Sequence, residues 1–470
     1  MRSYKKRMKL FPKIREAKTK VQYEWLTERH VIRASDKFFP LLEKLGHKAN
    51  NVYNQGLYRV RHKLFQGEWM NSVELDRSFK TSRDNRDSML YESMGNVHLV
   101  QQVLKTVCQD MTNWKKSRDA YRKASQKFSG YPKLPSYKRK GWMMPFVVDN
   151  QTAKLRSDGT VEIPCMDNFR IELWHKNVKK IQQVRIVPMN GVFIVEIVYK
   201  TEKVIEYKPD NGRYLTIDPG VNNAFACASN VKGFQPVVFN GHPIKSVNQF
   251  YNKERARLLS IYKLSRQREQ SHRLDRLDFK RNQKIERYAH EVSKRIAELA
   301  LSHECNTIVI GRNIGLKNGS QMDKKNNQNF IGIPHDRMLQ MIMYKANLLG
   351  IVVIPVNESY SSQTSFLDGE EVINANGDKA RARRGIRPAK RRFKRGLYRS
   401  NNGTVLNADI NAAYQILRKV VPNAYADGIE GWLADSHNST RQYYKYTVLY
   451  YLGGKSLKKH RGTLLCKRTS

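Results

Sequence analysis

At 470 residues, 40% of them hydrophobic, the chain suits two to four domains with ordinary cores and is too long for one. Its 86 Lys and Arg against 42 Asp and Glu leave a net charge of +44, which repels itself in a free compact chain and calls for a polyanionic partner. No run of 18 apolar residues and no leader-like start occurs, so the expectation is a cytoplasmic, nucleoid-associated protein with no membrane partner. A DNA-binding module touches roughly 6–10 phosphates. The excess here suits several times that number, as a folded RNA plus a duplex would present.

After a basic start, residues 1–36 alternate (Val21, Tyr23, Trp25, then Val31) and predict an extended segment. Between 37 and 130 the period changes to three and four. Phe38, Leu41, Leu42 and Leu45, then Val52, Tyr53, Leu57 and Val60, mark one helical stripe; Val97, Val100, Leu104, Val107, Met111 and Trp114 mark another. Two prolines between Gly130 and Lys138 break this bundle. From Phe146 to Tyr199, short β-rich runs separated by Ser157-Asp-Gly159 and Met189-Asn-Gly191 predict an antiparallel unit. Strands follow over 214–240 and charged helices over 243–304. Thr307–Ile310 and Gly350–Pro355 read as buried strands with a helix, Met338–Leu349, between them. The loop Gly377–Arg399 holds eleven Lys or Arg against one Asp, and helix Ile410–Val420 follows. The last fifty residues carry Tyr443, Tyr444, Tyr446, Tyr450 and Tyr451, which read as strand packing ahead of base stacking.

Hydrolysis of a phosphodiester by two divalent ions needs hard oxygen ligands from at least three places. Asp218 ends the strand Leu215-Thr-Ile217, on the face opposite Leu215 and Ile217; Pro219 and Gly220 then stop the strand and permit close backbone approach. Asp409 lies in Asn407-Ala-Asp-Ile-Asn411, where Asn and Asp suit a helix start. The third acid would stand at the end of Thr307–Ile310, but that position is Gly311. Cys108, Cys165, Cys227, Cys305 and Cys466 are scattered without a CxxC pair, so neither a disulfide framework nor a zinc site is expected.

Ile217-Asp-Pro-Gly-Val-Asn222 resembles the first RuvC motif of the TnpB family of transposon-encoded, RNA-guided nucleases, and Leu406-Asn-Ala-Asp-Ile-Asn-Ala-Ala413 resembles the third. Between them, Asn326–His335 and Val356–Asp368 resemble a TnpB subgroup in which a glutamate ahead of Ser-Tyr replaces the missing strand-end acid; here that is Glu358. The likeness spans about residues 20–420. It implies an α+β, multi-domain fold: a β-barrel wedge domain (1–36 and 135–210), a helical recognition lobe (37–134) and an RNase H-like (RuvC) nuclease domain (211–420) with a basic insertion at 359–400. Residues 421–470 would form a basic, aromatic tail. It also implies a catalytic, Mg²⁺-binding set of Asp218, Glu358 and Asp409 with two ions (Mn²⁺ as a substitute), a guide RNA, and double-stranded DNA as target. Asp323, Asp336 and Asp368 are weaker candidates. A typical TnpB has a zinc ribbon between positions 365 and 399, where Thr364, Ser365 and the basic loop stand here, so no zinc is expected. Lys105, Lys115, Lys116, Arg118, Arg122 and Lys123 of the helical lobe, with Arg391 and Arg392 of the loop, are the nucleic-acid-binding candidates. Two alternatives stay open: a nuclease-inactive, RNA-guided DNA-binding protein, and a miniature type V CRISPR effector.

Overall fold

The structure is a computed structural model that describes residues 22–80, 85–265, 271–312, 328, 332–359, 361–370, 396–401 and 403–425, with short strands at 433–434, 443–444, 447–449 and 459–461. It is a mixed α/β fold that divides into two compact units, one of residues 23–204 with 270–276 and one holding the remainder from 205 onward.

The first unit opens with β1 (Gln22–Ile32) and continues with helices α1 (Phe39–Phe65), α2 (Ser72–Lys80), α3 (Asn85–Glu92) and α4 (Val97–Lys123). Both long helices are amphipathic at the expected spacing. Leu42, Leu45, Ala49, Val52, Tyr53, Leu57 and Val60 of α1 are buried with Val100, Val103, Leu104, Val107 and Met111 of α4. Val97, counted in the α4 stripe, is 38% exposed instead, because the helix begins there: the Asn96 side chain caps it by accepting the His98 N–H at 2.7 Å. Strands β2 (Phe146–Asp149), β3 (Lys154–Leu155), β4 (Thr160–Ile163), β5 (Phe169–Glu172), β6 (Val178–Met189) and β7 (Val192–Ile205) follow. Asn190 and Gly191 both take positive φ, as the two-residue turn joining the twisted strands β6 and β7 requires.

The barrel expectation is corrected here. Among the described residues the strands form an open four-stranded sheet, in the order β1-β7-β6-β2, and a separate three-stranded sheet, β3-β4-β5. The physical reason is that β3, β4 and β5 pair only with one another, so no strand among the described residues bridges the β1 and β2 edges.

The second unit contains β8 (Tyr214–Pro219), β9 (Asn223–Ser229), β10 (Val237–Asn240), α5 (His242–Leu264), α6 (His272–Ser302, grouped here from Leu277 on), β11 (Thr307–Gly311), α7 (His335–Leu348) and β12 (Val352–Val356). It continues with β13 (Leu397–Arg399), β14 (Val405–Asn407), α8 (Ala408–Val420) and the short strands β15 (Leu433–Ala434), β16 (Tyr443–Tyr444), β17 (Thr447–Leu449) and β18 (Lys459–Arg461). Its main sheet runs β12-β11-β8-β9-β10-β17-β18. Strand β11 is parallel to both β8 and β12, whereas β9 is antiparallel to its neighbours β8 and β10. Every residue of β11 is buried, as expected of a parallel strand covered on both faces. Ile308 and Ile310 join a core with Val292, Ile296, Met338 and Ile342, whereas Val309 packs with Ile416 and Leu417 of α8. The C-terminal stretch adds β17 beside β10, in parallel, so it extends the sheet. Arg391, Arg392, Asp323 and Cys466 lie outside the described residues.

Candidate active site

Three sequence-distant segments reach one edge of this sheet. Strands β8, β11 and β12 are mutually parallel, so Asp218, Gly311 and the segment after Val356 share the carboxyl edge, where open α/β sheets place their sites. Alternation along β8 puts Leu215 and Ile217 into the core shared with α6 and α7. Asp218 therefore shares the face of Tyr214, which packs against α8.

The turn after Asp218 explains its glycine. A Cβ on Gly220 would sit 2.5 Å from the Asn223 carbonyl oxygen and 3.7 Å from Asp409 Oδ2. His335, at the start of α7, fixes the same turn by donating from Nε2 to the Gly220 carbonyl at 2.8 Å. Asn407 caps α8 by accepting the Asp409 and Ile410 N–H groups, so Asp409 stands in the first helical turn, where the helix dipole favours an anion. Asn223 Nδ2 then donates to Asp409 Oδ2 at 2.7 Å, joining the first and third motifs directly.

Glu358 is tied to Gly311. The pairing of Ile310 with Ile217 puts Gly311 level with Asp218 on the next strand, one strand spacing away (about 4.8 Å). A Cβ built at Gly311 would lie 3.0 Å from Glu358 Oε2, 3.2 Å from Glu358 Cβ and 2.8 Å from Ile416 Cδ1. The Glu358 side chain thus fills the space that an acid at 311 would use. Its Oε2 is buried without a hydrogen-bond partner, and burial pushes the carboxyl up to about 7, against the opposing pull of the Lys419 ammonium. Lys419 Nζ also holds the loop, donating to the carbonyls of Asn357 (3.2 Å) and Ser359. Carboxylates with an unsatisfied oxygen suit a hard divalent cation in kind. Among the described residues, however, no three His, Cys, Asp or Glu side chains converge into a ready metal cage.

Of the weaker candidates, Asp336 faces Arg312 at 3.7 Å. Asp368 Oδ1 accepts the Asn401 N–H at 2.8 Å and so ties the 361–370 turn to the chain entering β14. This is the stretch where a zinc ribbon would stand. The turn is also fixed to α8 through Asn411, whose side chain accepts the Phe366 N–H at 2.9 Å and donates to the Thr364 carbonyl at 2.8 Å. Asn411→Ala should lower stability by about 2–4 kcal/mol in urea unfolding, because both backbone groups would stay buried without partners. A loss below about 1 kcal/mol would mean that the turn re-pairs elsewhere.

On α4, Lys105, Lys115, Lys116, Arg122 and Lys123 are exposed and Arg118 is half-buried. Lys115 sits over the Trp69 ring at 4.8 Å and Arg118 over Trp114 at 5.0 Å. Asn223 directly follows the first motif and His335 closes the Asn326–His335 stretch; neither carries a sequence signal for a functional role. Their contacts join motifs more than a hundred residues apart, which spacing along one chain does not reveal.

Comparison with known proteins agrees with the motif reading. Residues 196–316 match the OrfB_IS605 family, described as a probable transposase, and residues 335–416 match the Cas12f1-like TNB domain. The resemblance to the TnpB family is thereby borne out. The chain is 24% identical, over 247 residues, to the CRISPR-associated endodeoxyribonuclease Cas12f2 of Micrarchaeota archaeon (strain CG1_02_47_40); the match covers 51% of this chain and 43% of that relative. The chain thus spans less than half the length of that relative. Among solved structures, the Cas12f1–sgRNA–target DNA complex aligns with a TM-score of 0.32 at 16% identity, over 83% of this chain and 98% of the other. A CRISPR-Cas12f ternary complex aligns with a TM-score of 0.33 at 14% identity, over 80% of each chain. No helix among the described residues is long and apolar enough to cross a membrane.

Proposed function

We propose that the chain is an RNA-guided DNA endonuclease of the TnpB type, cutting DNA beside a short flanking motif with a two-metal RuvC site. The observation that carries this reading is the Glu358 carboxylate at the Gly311 position, on the edge that also bears Asp218 and Asp409. The strand order, with β9 reversed between β8 and β10 and with β11 and β12 parallel beyond β8, supports an RNase H-like assignment for residues 211–420. In the same reading, residues 1–36 and 135–210 are the wedge, 37–134 the recognition lobe, 359–400 a basic insertion and 421–470 a tail.

Asp218, Glu358 and Asp409 would hold Mg²⁺, or Mn²⁺ in its place, and bound ions would activate water and stabilise the leaving oxygen. The remaining groups prepare those acids. Asn223 orients Asp409, His335 fixes the turn after Asp218, and Lys419 fixes the loop carrying Glu358. The exposed cations of α4 and the basic loop with Arg391 and Arg392 would grip phosphates, while pairing with the guide RNA selects the sequence.

The protein should co-purify with one discrete structured RNA, and nuclease digestion of that RNA should lower its solubility, since a charge of +44 would lose its neutralising partner. Sequencing the bound RNA tests this. A heterogeneous RNA pool, or RNA-free protein that still cuts a chosen sequence, defeats the guided reading. A second reading, a nuclease-inactive guided DNA binder, is favoured by Gly311 standing where the strand-end acid would be. It predicts sequence-directed binding without cleavage when the protein, its own RNA and Mg²⁺ are combined.

A further inference from the structure

The loop between β5 and β6 presents Trp174, 72% exposed and the most exposed of the described tryptophans. The backbone that carries this ring is held in place. Glu28, on β1 and only 6% exposed, accepts the backbone N–H of Trp174 on Oε1 at 2.7 Å and the backbone N–H of His175 on Oε2 at 3.4 Å. His30 Nε2 bonds the same Oε1 at 2.7 Å, and the His30 ring lies 4.6 Å from the indole, tilted by 41°. Beyond it, His175 stacks on Tyr199 at 6.0 Å. A carboxylate buried beside a sheet is costly unless several donors satisfy it. Here those donors fix a loop whose outward product is an exposed apolar ring, flanked within six residues by Lys176, Lys179 and Lys180.

We propose that Trp174 is a stacking platform for a nucleobase of bound nucleic acid, with the Glu28–His30 pair as its positioning support. The inference rests on the nucleic-acid-binding part of the function proposed above. Every base offers a π-face, so a fixed indole beside cations holds a base without reading its sequence. The base comes from either RNA or DNA, and the two arms of the test separate these sources.

Protein freed of RNA in high salt is titrated with fluorescein-labelled oligo-uridine and oligo-thymidine, with binding followed by anisotropy. Trp174→Ala should weaken binding roughly 5- to 150-fold, and Trp174→Phe should keep most of the affinity. The salt slope should not change, because no phosphate contact is lost. Indole emission should be quenched by the probe in the parent and less so in Trp174→Phe. The oligonucleotide that shows the loss identifies the source. Parent-like affinity of Trp174→Ala for both probes, with undiminished quenching in Trp174→Phe, overturns the proposal. A parent that binds neither probe at low salt overturns the nucleic-acid reading itself, and the platform with it.

Discussion

Glu358→Ala should abolish DNA cleavage while leaving guided binding intact, the largest expected effect of any single substitution. A group that stabilises charge in the transition state is worth about 10²–10³ in rate, so the loss should reach at least that range. Asp218→Ala and Asp409→Ala should match it, because in the proposed site the three acids hold the same ions. Glu358→Gln adds a second readout. In the fold this carboxyl is raised from 4.5 to about 7. The folded state therefore holds its proton more tightly than the unfolded chain does, and stability falls as pH rises through that window. Without divalent ions the parent should lose up to roughly 3 kcal/mol between pH 4.5 and 8, and Glu358→Gln should be spared that loss. The two proteins should converge in stability below pH 4.5. Denaturant unfolding at several pH values in a chelator measures the difference, and cleavage of a matched target measures the rate. If Glu358→Ala cuts as the parent does, Glu358 is not the third ligand and Asp368 is the next acid to replace.

The second large effect concerns Gly311. Alanine there would put a Cβ 2.8 Å from Ile416 Cδ1 and 3.0 Å from Glu358 Oε2. Neither neighbour can easily retreat, one being a fully buried residue of α8 packed on Val309 and the other filling the position in question. Overpacking of this kind costs about 1–3 kcal/mol. Gly311→Ala should lower both stability and cleavage, and Gly311→Glu should fail to improve the enzyme although it restores the strand-end acid. Adding Ile416→Val to Gly311→Ala removes one clash and should recover part of the stability without recovering cleavage. Full activity in Gly311→Ala would show that Glu358 can move away without consequence.

Much of this was legible in the sequence because the relevant signals are local. The α1 and α4 stripes, the 189–191 turn, the buried strand β11 and the placement of Asp218 opposite Leu215 and Ile217 all follow from periodicity and turn chemistry. The 350–355 run, expected as a buried strand, is instead the sheet-edge strand β12, only half-buried and with Pro355 exposed. Resemblance supplied Glu358; its contact with Gly311 depends on register across β11 and on a helix about a hundred residues later. The Asn223–Asp409 bond and the Glu28 support of Trp174 span 186 and 146 residues, and nothing in residue spacing encodes them. The open sheet in place of a barrel was invisible for the same reason: which strand ends meet is decided by pairing, and composition is blind to it.

The cap that Asn407 gives α8 has a consequence for synthesis. Asp409 sits at the start of the helix that covers β8, β9 and β11, and it arrives almost two hundred residues after Asp218. A nascent chain that has already paired β8, β11 and β12 carries two of the three acids and no capped helix to complete them. Such long-range closure is slow and comes late, as loop closure across many residues must be paid before docking rewards it. A ribosome-bound or prematurely terminated chain ending before Asn407 would lack Asp409 altogether. In the proposed site, the third acid therefore becomes available only after the chain up to Asp409 has emerged.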